Sequence, residues 1–268
     1  MFFNRKGKAV AAPDFPPGVR FADTHCHFDM LKNPEGALEL ARENGVGLMI
    51  SLVDPVDYPE LPDFFSLPKL VGVHPHNAKD YDDAVERQLV AQIENGQAIG
   101  IGEIGLDYHY DLSPRGQQQE VFQRQLALAA RLNVPVQLHI REANADALHI
   151  LAATPLPERG VELHCCTLAW DDLRPYLDFV CRVAFGGALT FNKSDAIRDA
   201  ASRVPERYLI TETDSPYMAP VPLRGSDCEP AQVIFTAHYL AELRGQSESA
   251  QFYQTLYNNA VTFIKGKV

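Results

Sequence analysis

The sequence predicts an α/β protein of the (β/α)8 or TIM barrel type, and two observations lead to this fold class. Short apolar runs with the composition of β-strands alternate with helix-like segments along the 268 residues, eight times in all. Several of these runs end in His, Glu or Asp, and catalytic groups collect at that end of the strands in such barrels. An open doubly wound sheet is the alternative, but no glycine-rich phosphate fingerprint follows the first strand, which disfavours it.

Each predicted element rests on a local pattern. The predicted strands are Phe21–Thr24, Leu48–Val53, Leu70–Val73, Ala98–Gly102, Val134–Leu138, Val161–Leu163, Val180–Phe185 and Tyr208–Thr213. The predicted helical segments are Pro34–Asn44, Asp80–Asn95, Ser113–Leu132, Ala143–Ala153, Trp170–Phe179, Asp195–Arg203, Pro230–Arg244 and Ser247–Ile264. Ser113 and Pro114 have the composition of an N-cap and first turn. Asp54–Pro68 holds four prolines and is too broken for a full helix.

Composition restricts the classes of protein that this chain can belong to. Its formal charge of −11 argues against a broad basic surface, so a nucleic-acid partner would have to be held at a local site. The five cysteines include no Cys-x-x-Cys pair, which argues against a disulfide framework or a structural zinc module. No run of about 18 apolar residues indicates a membrane span. We therefore expect a cytoplasmic protein with no membrane association and no obligate protein partner.

The chain is expected to hold one large folded domain. Residues 1–17, with Pro13, Pro16 and Pro17, have the composition of a flexible leader before the first strand. No internal repeat, low-complexity segment or linker divides the remainder. The predicted organisation is therefore a leader over residues 1–17 and a single barrel domain over residues 18–268.

A histidine pair at the end of the first strand is the first sign of chemistry. His25 and His27 are two residues apart, so they share one face of a strand and can bind one metal ion. Such a pair alone is a weak signal. It gains weight from four further carriers of metal-ligating groups at or just past the ends of other predicted strands: Glu103, His139, His164 and Asp214.

Six such ligands are too many for one four-coordinate ion and suit two divalent ions. The mixed nitrogen and oxygen donors are compatible with Zn²⁺, Mn²⁺ or Mg²⁺. One carboxylate can bridge the ions, and a water shared between them can become a nucleophile at neutral pH. Asp23 and Glu212 lie one step below these ligands. They are candidates to fix the tautomer of a bound imidazole, or to make buried structural hydrogen bonds.

Six sequence blocks follow one another over about residues 20 to 265. The blocks are Asp23-Thr24-His25-Cys26-His27-Phe28-Asp29, Gly72-Val73-His74-Pro75-His76, Ile101-Gly102-Glu103-Ile104-Gly105-Leu106-Asp107-Tyr108, His139-Ile140-Arg141, His164-Cys165, and Thr211-Glu212-Thr213-Asp214-Ser215-Pro216-Tyr217. In this order they form a specific combination, and together they resemble the TatD-like metal-dependent hydrolases of the amidohydrolase superfamily.

The resemblance implies a fold, an activity and a role for each ligand. Members of the family are (β/α)8 barrels, typically cytoplasmic metal-dependent nucleases and often 3′→5′ exonucleases on single strands. By this resemblance His25, His27 and Asp214 would hold one ion, and His139 and His164 the other. Glu103 would bridge the two ions, and Asp214 would also act as general base towards the attacking water.

Three departures from the family pattern lie where substrate would be held. Cys228 stands where the family's Arg-Gly-x-x-Asn-Glu-Pro block has asparagine. The segment after the second strand is shorter than usual, and Cys166-Thr167 replaces an aromatic residue after the sixth-strand histidine. The chemistry is thus better supported than the substrate. A hydrolase of a small amide, ester or lactone on the same metal site is the alternative to a nuclease, and a non-enzymatic metal module is disfavoured because an open site suits catalysis.

Three further residues are predicted to bind substrate. His74 could donate a hydrogen bond to a phosphate, or be a rim histidine satisfied by a neighbour. Arg141, two residues past His139, could clamp a phosphate oxygen or pair with a rim acid, and Arg224 is similar. His74 and His76 are disfavoured as metal ligands because six better carriers fill two sites. The spacing of the tyrosines indicates no base-stacking platform.

Overall fold

The computed structural model describes residues 1–58 and 66–265, and its strand order is that of a (β/α)8 barrel. Eight strands, β3 to β10, follow one another as hydrogen-bonded neighbours, and the pairs of known direction are parallel. This confirms the predicted fold. The strands are β1 Phe2–Phe3, β2 Ala9–Val10, β3 Phe21–Cys26, β4 Val46–Val53, β5 Lys69–Val71, β6 Gly100–Asp107, β7 Val136–Arg141, β8 Val161–Leu163, β9 Arg182–Phe185 and β10 Leu209–Thr211.

Helices follow most strands, close to the predicted positions. They are α1 Pro34–Glu43, α2 Asp83–Glu94, α3 Arg115–Leu132, α4 Asn144–Ala153, α5 Trp170–Leu173, α6 Asp195–Arg203, α7 Val233–Leu243 and α8 Ala250–Lys265. The helix predicted over 170–179 is α5 followed by the 3-10 helix Arg174–Asp178. Of the proline-rich segment 54–68, residues 59–65 lie outside the described residues. In the described part of the chain, no helix combines the length and hydrophobicity needed to cross a bilayer.

The described residues fall into two compact units. Unit 1 comprises residues 1–50, 165–173 and 183–261, and unit 2 comprises residues 51–164, 174–182 and 262–265 apart from the undescribed segment. Each unit contains three of the predicted metal ligands.

Within unit 1, the end of β3 is joined to β10 and the segment that follows it. The Thr211 hydroxyl donates to the carbonyl of Ala22 (3.1 Å). Further along, the amide of Asp214 donates to the carbonyl of His25 (2.9 Å), and the amide of His27 donates to the carbonyl of Ser215 (2.9 Å). These bonds hold the first and last strands of the barrel side by side where their functional residues emerge.

The leader predicted over residues 1–17 contains ordered elements in the structure. β1 and β2 pair as an antiparallel hairpin, and Phe2 is buried with its ring edge-on to Phe235 at 5.0 Å. Phe15 packs in the same way against Phe21 at 4.7 Å. The structure differs from the expectation because these phenylalanines supply apolar surface that the proline-rich composition concealed. The boundary at residue 17 stays a prediction.

Within unit 2, an irregularity in strand β6 directs Glu103. Ile101 is opposite Val136 but Ile104 is opposite Leu138, so β6 has one residue more than β7 over this stretch. Such a bulge bends the strand and redirects a side chain, and bulges are common beside active sites. Gly102 allows the close approach, because a Cβ there would lie 2.9 Å from the Cβ of Gln137.

Helix α3 fixes the ends of two strands of unit 2 through buried glutamines. Gln125 accepts from the amide of Val73 (2.8 Å) and donates to its carbonyl (2.9 Å). Gln118 makes the same pair of bonds with Asp107, at 2.8 and 3.2 Å. The helix therefore fixes the main chain where His74 and Asp107 project.

Ser113 does not act as the predicted N-cap, because helix α3 begins at Arg115 and no side chain caps it. The Ser113 hydroxyl instead accepts from the amide of Lys79 (3.1 Å) and donates to the carbonyl of His76 (2.7 Å). It thus ties the loop before α3 to the segment that follows β5.

Candidate metal centre

Unit 1 brings together three of the predicted ligands. His25 and His27 come from the end of β3, and Asp214 comes from the segment after β10. The Nε2 atoms of His25 and His27 are 3.2 Å apart. Asp214 Oδ1 lies 3.8 Å from the first and 3.7 Å from the second. Ligands placed about 2.1 Å from one tetrahedral ion are about 3.4 Å apart, so these three donors fit a single divalent ion.

The backbone at Asp214 aims its carboxylate at the two imidazoles. Asp214 has a φ of +58°, a left-handed conformation that is uncommon for a residue with a side chain. Its amide is held by His25, and its carbonyl accepts from the amide of Tyr217 (2.8 Å). A turn stabilised on both sides can keep such a conformation, which is found most often at functional sites.

Asp23 connects the two chain segments that carry this cluster. Its carboxylate accepts from the amide and hydroxyl of Thr213 (2.8 and 2.6 Å) and from the amide of His25 (3.3 Å). Complete burial raises the pKa of Asp23 well above its usual range, although the Thr213 bonds oppose the shift. These contacts are buried structural hydrogen bonds, the second of the two roles considered for Asp23. Glu212, the other such candidate, accepts from the amide of Cys165.

Unit 2 brings together the other three predicted ligands. Glu103 Oε2 lies 3.0 Å from His139 Nδ1 and 3.0 Å from His164 Nε2. The two imidazole nitrogens are themselves 3.2 Å apart. His164 is buried and His139 is half-buried, so the donors converge at the edge of the core. Their spacing again fits one divalent ion.

Asp107 is a candidate site residue that the sequence did not single out. Its Oδ2 atom lies 3.1 Å from His139 Nε2 and 3.1 Å from His76 Nε2. If Nε2 of His139 carries the proton that it shares with Asp107, the lone pair of Nδ1 is on the side of Glu103 and can bind a metal ion. An outer carboxylate sets the tautomer of a metal-binding histidine in this way. The sequence feature that could have identified Asp107 is its position at the end of β6, within the same sequence block as Glu103.

The electrostatics of this pair follow from burial and hydrogen bonding. Burial by itself would raise the pKa of Asp107, but the bonds from His139, the amide of Tyr110 and His76 outweigh it and hold the pKa well below the usual range. Burial would lower the pKa of His139, yet its bonds with Asp107 and Glu103 raise that pKa. The carboxylate of Asp107 is thus kept ionised beside an imidazole.

His74 lies closer to the ligands of unit 2 than expected. Its Nδ1 accepts from the amide of His76 (3.1 Å), which leaves Nε2 facing Glu103 Oε2 at 3.7 Å. The metal-ligating atoms of His74, Glu103 and His139 all lie within 4.8 Å of one another. The position of His74 is therefore compatible with a metal ligand as well as with the predicted hydrogen-bond donor to a phosphate.

The two predicted substrate arginines are exposed and stack on aromatic rings. Arg141 lies at the end of β7, with its Cζ 4.8 Å from the centre of the Tyr110 ring. Arg224 lies in the loop after β10, with its Cζ 3.8 Å from the centre of the Phe191 ring. Stacking orients a guanidinium while leaving its N–H groups available at the edges.

Comparison with known proteins places this arrangement in a family. A model of the TatD related DNase family matches residues 22–265. The chain belongs to this family. A relative in Escherichia coli K12, the uncharacterized metal-dependent hydrolase YcfH, is 37% identical over an alignment of 240 residues that covers 83% of this chain and 88% of the relative. The sequence resemblance to TatD-like hydrolases is thereby confirmed, and the protein is a metal-dependent hydrolase.

Two further TatD-family comparisons bear on fold and activity. The crystal structure of YjjV, a TatD homologue from Escherichia coli K12, superposes with a TM-score of 0.83 at 29% identity, covering 91% of this chain and 98% of YjjV. The human 3′-5′ RNA nuclease TATDN2 is 31% identical over an alignment of 248 residues that covers 84% of this chain but 33% of the human protein. The barrel fold is shared with the first, and the second is a relative with a named nuclease activity.

Proposed function

We propose that the protein is a metal-dependent phosphodiesterase that cleaves nucleic acid, DNA or RNA, at single-stranded ends. The observation that carries the proposal is the pair of His and carboxylate clusters, with an exposed arginine stacked beside the cluster of unit 2. The named activity of the human relative and the name of the family support a phosphodiester substrate. An amide, ester or lactone hydrolase on the same donors is the alternative that the experiments must separate.

Each cluster is proposed to hold one divalent ion, Zn²⁺, Mn²⁺ or Mg²⁺. His25, His27 and Asp214 would hold one, and Glu103, His139 and His164 the other. When bound, such ions supply Lewis acidity and lower the pKa of water. The bridging role that the family resemblance implies for Glu103 stays a prediction.

The chain's own residues would then divide the remaining work. Asp214 is half-buried rather than enclosed, so its carboxylate would be accessible to accept the proton of an attacking water. Asp107 holds the His139 ring in one orientation. Arg141, His74 and Arg224 would bind phosphate oxygens, and a bidentate arginine is well matched to that group. Local binding of this kind fits a chain with a net charge of −11.

The first test removes one carboxylate from each cluster. We expect Glu103→Ala and Asp214→Asn to abolish hydrolysis in the presence of added metal, because each loses a metal ligand or the proton acceptor. Circular dichroism and thermal unfolding should show that both variants remain folded. Glu94→Ala is the control, since Glu94 is an exposed acid at the last residue of helix α2. Full activity in either cluster variant would contradict the mechanism.

The second test identifies the substrate class. The metal-loaded protein is assayed on single-stranded DNA, single-stranded RNA and a panel of esters, lactones and amides. We expect nucleotide release from the single strands, and chelation followed by metal addition should remove and restore it. Good turnover of an ester or amide without any turnover of nucleic acid would favour the alternative.

A further inference from the structure

We propose that Tyr110 is a stacking platform for a nucleobase of the single-stranded substrate, beside the metal cluster of unit 2. The inference rests on the proposed nuclease function and extends it from the scissile phosphate to recognition of a base. It concerns a tyrosine that no spacing in the sequence marks, because its partner Arg141 comes from a different strand end.

The position of Tyr110 is set by the carboxylate that orients His139. Asp107 Oδ1 accepts from the amides of His109 (3.0 Å) and Tyr110 (2.9 Å), while Oδ2 faces His139 and His76. An aspartate that bonds the amides two and three residues ahead forms a tight turn. One side chain therefore fixes both a metal-cluster imidazole and the turn that presents Tyr110.

The Tyr110 ring is supported by its neighbours, yet it is open to solvent. The His76 ring meets it at 5.5 Å and 88°, and the His109 ring at 4.8 Å and 85°. Arg141 covers it from 4.8 Å. More than half of the Tyr110 surface, 55%, is nevertheless exposed, as is that of Leu112 two residues further on. An exposed aromatic ring that its neighbours hold in place beside the metal cluster of unit 2 can offer a face to a ligand.

The chemistry of this pair matches a nucleotide better than a small amide or lactone. Every base has a π face that can stack on a tyrosine, so this contact does not depend on the sequence of the strand. The neighbouring arginine offers planar N–H donors to the phosphate attached to that base. Single-strand binding sites combine these same two elements, aromatic rings for bases and cations for the backbone.

The experiment measures how much one base of the substrate contributes to kcat/KM. Short thymidine or uridine oligonucleotides, whichever the wild type cleaves faster, are compared with versions in which one nucleotide at a time is abasic. At one position, removal of the base should lower kcat/KM about tenfold, which corresponds to about 1.4 kcal/mol of stacking. In Tyr110→Ala the ratio of kcat/KM on the intact oligonucleotide to kcat/KM on the abasic one should fall towards one, through a change in KM. Tyr110→Phe should keep the wild-type ratio.

Tyr208→Ala is the matched control. Tyr208 also carries an arginine, with the Cζ of Arg207 4.6 Å from its ring centre, but it precedes β10 at the amino end of the strand, away from the catalytic end of a barrel. We expect it to keep the wild-type ratio of the two kcat/KM values.

The outcomes separate this inference from the function on which it rests. If the wild type cleaves oligonucleotides but Tyr110→Ala keeps the ratio, or loses activity equally on both substrates, Tyr110 does not stack on a base and at most positions Arg141. The nuclease proposal would survive that result. If no oligonucleotide is cleaved while an ester or amide is, the proposed function fails and this inference fails with it.

Discussion

Asp107 is the residue on which most of the candidate site in unit 2 depends. Its two oxygens are bonded by two imidazoles and two backbone amides, and its own main chain is bonded by Gln118. The bonds from the imidazoles and the amides are made to an ionised carboxylate and are therefore stronger than bonds between neutral groups. A single buried charge thus sets the orientation of His139, the position of the following turn and the end of strand β6.

This arrangement makes Asp107→Asn a sharp test at the scale of one residue. An asparagine can keep some of the bonds but loses the charge that draws the Nε2 proton of His139, so its Nδ1 becomes a poorer donor. We expect the affinity for one divalent ion to fall about 10- to 100-fold, the usual effect of changing an outer carboxylate. The affinity is measured by competition with a chromogenic chelator.

Asp146→Asn is the control for this change, because Asp146 lies on α4 and accepts from Tyr108 (2.7 Å) and Gln119 (2.9 Å). It should bind metal as the wild type does. Wild-type affinity in Asp107→Asn would mean that His139 keeps its tautomer without this carboxylate.

The predicted ligands could be found from the sequence because each follows a strand-like run and belongs to a residue type that binds metal. Asp107 could not be singled out in the same way. It stands four residues past Glu103, and only the bulge between Ile101 and Ile104 reveals how the strand brings both acids to His139. Tyr110 is a similar case, since its contact with Arg141 joins the turn after β6 to the end of β7.

At the scale of the element, helix α3 shows how a helix can fix a catalytic face by polar contacts. Its apolar stripe, including Phe122 and Leu126, is fully buried as the helical period predicts. The buried glutamines at 118 and 125 lie on the same side, seven residues apart, and bond the main chain of Asp107 and Val73. The stripe was predictable, but the partners of the glutamines were not, because they depend on tertiary packing.

Gln125→Leu tests this role of helix α3. The change leaves the amide and carbonyl of Val73 without these partners, and each unsatisfied buried group costs about 1–3 kcal/mol. We expect a lower free energy of unfolding in urea and a loss of activity, since His74 follows Val73 directly. Gln123→Leu, an exposed change on the same helix, should stay within about 0.5 kcal/mol of the wild type. Equal stability of the two variants would contradict the role assigned to Gln125.

The start of helix α2 gives a prediction on pH. Asp82 caps this helix by accepting from the amides of Val85 (2.9 Å) and Ala84 (2.8 Å), and these bonds lower the pKa of Asp82. A lowered pKa in the folded state means that the stabilisation is present above the unfolded value of about 3.9 and is lost as the pH falls through the folded value.

Thermal unfolding of the wild type, Asp82→Ala and Asp82→Asn can follow this effect. At pH 7 the alanine variant should melt lowest, and asparagine, which caps without a charge, should lie between it and the wild type. The gap between wild type and asparagine should narrow as the pH falls below the unfolded value of about 3.9, and it should close once the pH has passed the lowered folded value. A gap that stays constant as the pH falls through this range would show that the charge of Asp82 does not contribute.

At the scale of the whole molecule, the sequence predicted the barrel and the family because strand-like runs, helix periods and ligand positions agree along the chain. The hairpin before β3 was missed because strands of two residues leave no periodic signal, and the burial of Phe2 depends on α7. The division of the ligands between two compact units was also hidden, since neighbours in space come from distant parts of the chain. The cytoplasmic location stays a prediction.

Metal binding at the two clusters is expected to stabilise the folded state of the chain, because the donors come together only on folding. Imidazole and carboxylate donors that are 3.0 to 3.8 Å apart in the fold are far apart in an unfolded chain, so ions bind the folded state selectively. One ion at about 100 times its dissociation constant adds about 2.7 kcal/mol, or roughly 5–10 °C in Tm for a domain of this size.

We therefore expect chelator-treated protein to melt lower and to regain stability in separate steps for the two ions as Zn²⁺, Mn²⁺ or Mg²⁺ is added. Asp214→Asn should weaken the step that belongs to unit 1, and Glu103→Ala the step that belongs to unit 2. Metal content per chain, measured by mass spectrometry of the elements, should fall from about two to about one in each variant, as expected for two clusters that each fit one ion. Full retention of two ions in both variants would contradict the assignment of these carboxylates as ligands. Loss of both ions in Glu103→Ala alone would instead support the bridging role that the family resemblance implies for this residue.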